Sequence, residues 1–315
     1  MYLLKSLTRI LALLVVTCGG THSAVAHLST TPVKLMVLGS GGPGAVGRAA
    51  SCYLVLIDGT ARILVDAGPG AFARLGEAKL SLSDTDIVLL THLHVDHAGE
   101  LPGLFKARAV SGGDSVVFNV WGPAGTGEPY DGAYFPSTSR FLELLFGTKG
   151  AFAYLRDFAA PLSLHAHDVD AKVQLNPVPQ VILSEDGLVI RAIAGHHGDA
   201  PAVIYRIDYA GKSITFSGDI DAKGLTALRT IAKGSDLLVF NSVVLDPPGS
   251  RAILYTLHTP PRAIGELARG AGIHRLLLSH ISPAVEENQD AVLDSIKRSY
   301  HGPVSLAEDR IRVVP

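Results

Sequence analysis

One short stretch limits what this chain can become. Ile87–Leu90 is a wholly apolar run of the kind buried on both faces of a sheet, and Thr91-His92-Leu93-His94-Val95-Asp96-His97 follows it at once. Three imidazoles and a carboxylate at a strand end form a dense set of nitrogen and oxygen ligands, which zinc takes at roughly 2.0–2.2 Å. In extended backbone His92 and His94 share one face and reach one metal. The chain then turns, so Asp96 and His97 point towards a neighbouring position. A plain run of surface polar residues has no reason to follow an apolar strand at this spacing. The first expectation is therefore a metal site at a strand end.

Further ligand candidates occupy the same kind of place. His196 and His197 follow Leu188–Ala194, Asp219 follows Ser213–Phe216, and His280 follows Arg275–Ser279. Singly, each could cap a turn. Together they fit a sheet that gathers loops from equivalent strand ends into one cleft. Other strands are expected over Val33–Leu38, Cys52–Ile57, Ala61–Val65, Val116–Trp121, Val203–Tyr209, Leu237–Phe240 and Ile311–Val314, and helices over Ala222–Ile231, Pro261–Arg269 and Glu287–Tyr300. No linker interrupts 27–315, which reads as one mixed α/β domain. Residues 122–157 are Gly- and aromatic-rich and read as an insertion carrying substrate contacts, with helices near Ser139–Leu145 and Ala151–Arg156.

Residues 1–26 have the layout of a secretory signal: Lys5 and Arg9, an apolar run, then Ala24-Val25-Ala26 before the expected cut at His27. The run is far short of the ~20 residues a membrane span needs. A lipoprotein acylated at Cys18 is the alternative. Cleavage leaves Cys52 as the only thiol, so no intrachain disulfide forms and the core must supply stability. The expected location is the periplasm or the medium. With a net charge of −2, no global positive field draws in nucleic acid.

These residues carry a resemblance. The chain resembles the metallo-β-lactamase-fold superfamily, and within it the ribonuclease Z and phosphodiesterase-like branch, from about Val33 to Val314. Leu64-Val65-Asp66-Ala67-Gly68 resembles the first motif, whose Asp supports the site without binding metal. His92, His94, Asp96 and His97 fit the second. The third is a His before Pro201-Ala202 and Tyr205-Arg206-Ile207, a register that favours His197 over His196. Asp219 fits the fourth motif, a bridging carboxylate, and His280 the fifth. The resemblance implies a single-domain αββα sandwich and two Zn2+ ions, with Mn2+ or Fe also accepted. One metal would be held by His92, His94 and His197, the other by Asp96, His97 and His280, with Asp219 between them and a shared hydroxide as nucleophile. Asp66 would receive a ligand His N–H. His258-Thr259-Pro260 resembles the loop whose His protonates or stabilises the leaving oxygen, with helix entry capped by Thr259 as the alternative reading. Asp96, His258 and Asp66 are thus the catalytic candidates.

Departures from the pattern narrow the substrate. Phe240-Asn241-Ser242-Val243 stands where ribonuclease Z enzymes carry His-Glu-Ala-Thr, and no tRNA-gripping arm separates His197 from Asp219. The expectation is an exported hydrolase of a phosphodiester or similar small ester, with lactonase, arylsulfatase, β-lactamase and tRNA 3′ processing as alternatives and a metal-binding scaffold as the non-enzymatic one. Nucleic acid is not expected as a partner, and a homodimer is left open. Outside these motifs, Gly39–Gly44 reads as a loop bordering the cleft and Arg48 as a candidate anion contact. The segment from His165 to Asp170 follows no apolar strand and reads as a solvated loop, with a further metal site as the alternative. His274 and His301 read as surface residues, and Trp121, Tyr130, Tyr134 and Phe135 as candidate pocket walls.

Overall fold

The computed structural model describes residues 31–44, 47–111, 113–126 and 134–315. The signal-like segment with Cys18, and Tyr130, lie outside the described residues. Six strands follow in sequence in the first sheet: β1 (Val33–Gly39), β2 (Cys52–Ile57), β3 (Thr60–Val65), β4 (Ile87–Leu89), β5 (Val116–Pro123) and β6 (Leu162–Val169). The second sheet holds β7 (Gln180–Glu185), β8 (Leu188–Ala194), β9 (Val203–Tyr209), β10 (Lys212–Phe216), β11 (Leu237–Asn241), β12 (Arg275–Ser279) and β13 (Val304–Leu306). The last strand, β14 (Arg312–Val313), returns to pair with β1.

Alternation along the strands builds the layers. Leu35 and Val37 of β1 point into the space between the sheets with Tyr53, Val65, Tyr205 and Phe216, whereas Met36 and Leu38 point outward. The outer face of the first sheet is covered by α1 (Ala71–Glu77), α3 (Leu101–Val110) and α4 (Thr138–Phe146), which bury Leu75, Leu104, Phe105 and Phe146. A short α2 (Val95–Ala98) precedes α3. The second sheet is covered by α5 (Leu225–Ile231), α6 (Pro261–Ala271) and α8 (Gln289–Lys297), with α7 (Pro283–Glu287) before the last. Two sheets with apolar faces on both sides need helices on both outer faces, which gives the expected αββα order.

Several expectations are corrected. The helix expected over Glu287–Tyr300 breaks at Asn288, whose φ of −130° is not helical. Ser282 caps the new start at Pro283 by accepting a hydrogen bond from Val285 N. Gly122 and Pro123 belong to β5 and not to the inserted segment. The stretch from His165 to Val169, read as a loop, is part of β6, parallel to β5. Its alternation was hidden because an outer strand exposes every second side chain to water.

Arg48 is not an anion contact. Its guanidinium is turned into the protein, bonded to Glu286 Oε2 at 2.8 Å, Ser40 Oγ at 2.8 Å and Ala307 O at 2.7 Å. Asp309 accepts from Ser40 N, Ala49 N and Arg74 Nε in the same clasp. This network holds the loop after β1 against the exit of β12, where Gly42 N donates to Ile281 O at 3.0 Å. A Cβ on Gly42 would lie 2.6 Å from His280 O and 2.9 Å from its Nδ1, so the loop packs on that imidazole with no room for a side chain. Gly42→Ala is expected to cost roughly 1–3 kcal/mol of stability through overpacking and to reduce bound metal by displacing His280. Thermal unfolding and metal analysis check both.

Candidate metal centre

Strand polarity assembles the site. β3, β4 and β5 run parallel, as do β10, β11 and β12, and β8 shares the direction of β10 through the intervening β9. The ends of β4, β8, β10 and β12 therefore deliver His92–His97, His197, Asp219 and His280 to one edge of the sandwich. One possible ligand atom from each of His92, His94 and His197 lies within 4.8 Å of the others, and the same holds for Asp96, His97 and His280. His92, His97 and Asp219 form a third such group, and His197, Asp219 and His258 a fourth.

A single oxygen occupies the middle. Asp219 Oδ2 is 3.6 Å from His197 Nε2, 3.6 Å from His280 Nε2, 3.7 Å from His97 Nε2, 3.8 Å from His258 Nδ1 and 4.0 Å from His92 Nε2. These separations are too long for hydrogen bonds. They are close to what two metal–ligand bonds of roughly 2.0–2.2 Å span when they meet at one ion. His92 Nε2, His97 Nε2 and His258 Nδ1 are buried and have no hydrogen-bond partner among the described residues. Buried polar atoms are ordinarily paired, so several orphaned imidazole nitrogens in one place fit a cation.

The surrounding contacts fix the tautomers. Asp66 accepts from Thr91 N at 2.7 Å and Thr91 Oγ1 at 2.9 Å, and meets His97 Nδ1 at 2.7 Å. A carboxylate only accepts, so His97 Nδ1 carries the proton and Nε2 faces the cluster. By the same logic His197 Nδ1 donates to Leu257 O at 2.8 Å and presents Nε2. His196 turns away to Asp221, 2.7 Å from its Nδ1, and is not in the cluster. His258 is 5 % exposed, and Thr259 is not a helix cap: its hydroxyl donates to Ile220 O, and Pro260 precedes α6. Asp66 and His280 both hold a left-handed backbone, φ 56° and 55°, of the strained kind that gathers at functional sites.

Asn241 is a site residue that sequence reading missed. Its Nδ2 donates to Asp219 Oδ1 at 2.7 Å, leaving Oδ2 to face the imidazoles. Only the folded proximity of the β10 and β11 ends shows this. Among the candidate pocket walls, Phe135 stands 6.0 Å from the His94 ring and Tyr134 is half-exposed, but Trp121 is buried in the core. His274 and His301 are at the surface. An apolar cavity of about 440 Å³, lined by Leu93, Val95, Pro102, Phe141, Leu145 and Phe152, adjoins the metal loop.

Charge follows geometry. Burial would raise Asp219, but the imidazoles of His280, His97, His258 and His197 hold its carboxyl well below the usual range. Asp96 is likewise opposed by burial, yet its hydrogen bond with His280 brings it to about 2. Burial pulls His97 down, and the carboxylates of Asp66 and Asp219 overcome it and push it up to about 9. In the metal-free protein His97 is therefore protonated at neutral pH, and a metal must displace that proton. Metal affinity is expected to weaken about tenfold per unit as pH falls below 9. A folded value raised above the ordinary 6.5 stabilises the metal-free fold below pH 6.5, and that contribution is lost as pH rises through 9. Metal titrations and thermal midpoints of metal-free protein across pH 6–10 should thus trend in opposite directions. Asn241→Ala is expected to cut metal affinity about 10- to 100-fold with the fold intact, read by metal titration and circular dichroism.

A family model for the beta-lactamase superfamily domain matches residues 61–281. Ribonuclease Z of Mycobacterium sp. strain KMS is 27% identical over 268 residues, covering 82% of this chain and 87% of that protein. The short form of human tRNase Z superposes with a TM-score of 0.67 at 20% identity, covering 90% of this chain and 99% of the other. Zn(2+)-bound PqqB from Methylobacterium extorquens superposes with a TM-score of 0.60 at 15% identity, covering 89% and 99%. The chain belongs to the beta-lactamase superfamily, in its ribonuclease Z-like branch, and is a metal-dependent hydrolase of that fold.

Proposed function

We propose that this chain is an exported, dinuclear hydrolase that cleaves a phosphodiester or a similar small ester. The observation that carries the proposal is the position of Asp219 Oδ2 between two sets of three ligand side chains. His92, His94 and His197 would hold one ion, and Asp96, His97 and His280 the other, with Asp219 facing both. The imidazole-rich donor set favours zinc, and the carboxylates leave manganese or iron compatible. Bound there, the ions supply an activated water and polarise the substrate oxygen.

The chain's own groups do the rest. Asp66 orients His97, Leu257 O orients His197, and Asn241 keeps one Asp219 oxygen turned to the cluster. Burial brings His258 down to about 4, so at neutral pH it is uncharged and can offer an N–H to the leaving oxygen. The apolar cavity beside Leu93 and Val95 gives room for a carbon-rich part of the substrate. Ribonuclease Z relatives support phosphodiester chemistry. Processing of tRNA is not carried over, because β9, the Ala210-Gly211 turn and β10 fill the stretch between His197 and Asp219 and leave no arm.

Export rests on the tripartite pattern of residues 1–26 and the A-x-A sequence before His27. Protein recovered from outside the cytoplasm should begin at His27, read by N-terminal sequencing. The activity is tested with zinc-loaded mature protein on bis-p-nitrophenyl phosphate, an aryl sulfate, a lactone and nitrocefin. Turnover of the phosphodiester is expected, and two bound ions without turnover of any of the four would favour a scaffold. His258→Ala should lower kcat about 10²- to 10⁴-fold at unchanged metal content. Equal loss of both would remove His258 from the chemistry.

A further inference from the structure

A second pair of histidines stands away from the cluster. β6 is the outer strand of its sheet, and Ser163, His165 and His167 alternate on one face with Leu162, Leu164 and Ala166 on the other. The second set packs against the helix-covered core, so the first set faces water. In register, Asn119 of β5 lies opposite His165 and Trp121 opposite His167. The His167 ring stacks on Trp121 with centroids 4.5 Å apart and planes 15° off parallel, while His165 Nε2 meets Ser163 Oγ at 3.4 Å. Asp168 points elsewhere, its carboxylate held by Ser139 N and Oγ at 2.8 and 2.6 Å.

We infer that His165 and His167 form a surface chelate for a divalent transition metal, separate from the catalytic cluster. Residues two apart on a strand are roughly 6.6–6.8 Å apart at Cα. Imidazoles on one face at those positions can close on one ion at bonds of roughly 2.0–2.1 Å once His165 turns from Ser163 towards His167. Stacking on Trp121 already restrains one of the two rings, which lowers the ordering cost of closing the chelate. An all-imidazole set with no carboxylate selects copper, nickel or zinc over calcium or magnesium. Leu89 pairs with Trp121, which pairs with His167, so the pair lies two strand spacings, about 10 Å, across the sheet from the end of β4.

The sole tryptophan reports on this site, since Trp121 is the only one in the chain. Zinc-loaded protein is titrated with Cu2+ while Trp121 emission is followed, and bound copper is examined by electron paramagnetic resonance. Quenching that saturates at one equivalent, with hyperfine splitting from two nitrogens, is expected. His165→Ala leaves the Trp121 stack and the catalytic cluster intact and removes one arm of the chelate, so its quenching midpoint should rise at least about tenfold. His167→Ala should do the same and show one nitrogen at most. An unchanged midpoint in His165→Ala, or quenching in the wild type that needs copper to replace the catalytic ions, would overturn the inference.

Discussion

Everything at the active edge depends on electrostatic compensation around one buried carboxylate. Asp219 is 2 % exposed, yet it is held ionised by imidazoles on four different loops. Those imidazoles repel one another once protonated, and burial drives His92 and His258 towards the neutral form. The neutral nitrogens of His92 and His258, unpartnered among the described residues and beside an anionic oxygen, are ligand atoms awaiting a cation. The sandwich supplies the rigidity this requires. Strand ends anchored by apolar faces on both sides cannot drift apart without unpacking a core layer.

The supporting contacts are spread through the sequence. Asp66 leaves β3, Thr91 follows β4, Leu257 comes from the stretch after β11, and Asn241 ends that strand. Asp66, Leu257 and Asn241 each turn one ligand side chain by a hydrogen bond, and Thr91 holds Asp66 in place for its part. The Arg48 and Asp309 clasp performs a related task for His280 by pressing the Gly42 loop against it. The left-handed backbones of Asp66 and His280 mark where this arrangement is held against local preference.

Much of the site was legible because ligands at the ends of apolar strands leave a clear trace: polar chemistry appears abruptly where a buried run stops. His92–His97, Asp219 and His280 are of this kind, and the register after His197 separated it from His196. What stayed hidden depends on tertiary partners. Nothing local distinguishes an Arg48 that binds an anion from one already matched by Glu286 and Ser40. Asn241 reads as an ordinary strand residue until β10 lies beside it. β6 and β7 were missed because outer strands lack the apolar continuity of central ones, and the break at Asn288 is a single backbone excursion inside an otherwise amphipathic pattern.

The central claim is that two cations share Asp219, and anomalous X-ray scattering at the zinc edge from crystals of the zinc-loaded protein tests it most directly. The account predicts two peaks of comparable height on either side of Asp219 Oδ2, one bonded to His92, His94 and His197 and the other to Asp96, His97 and His280. A lone peak closed by four side chains, or two peaks neither of which contacts Asp219, would contradict it.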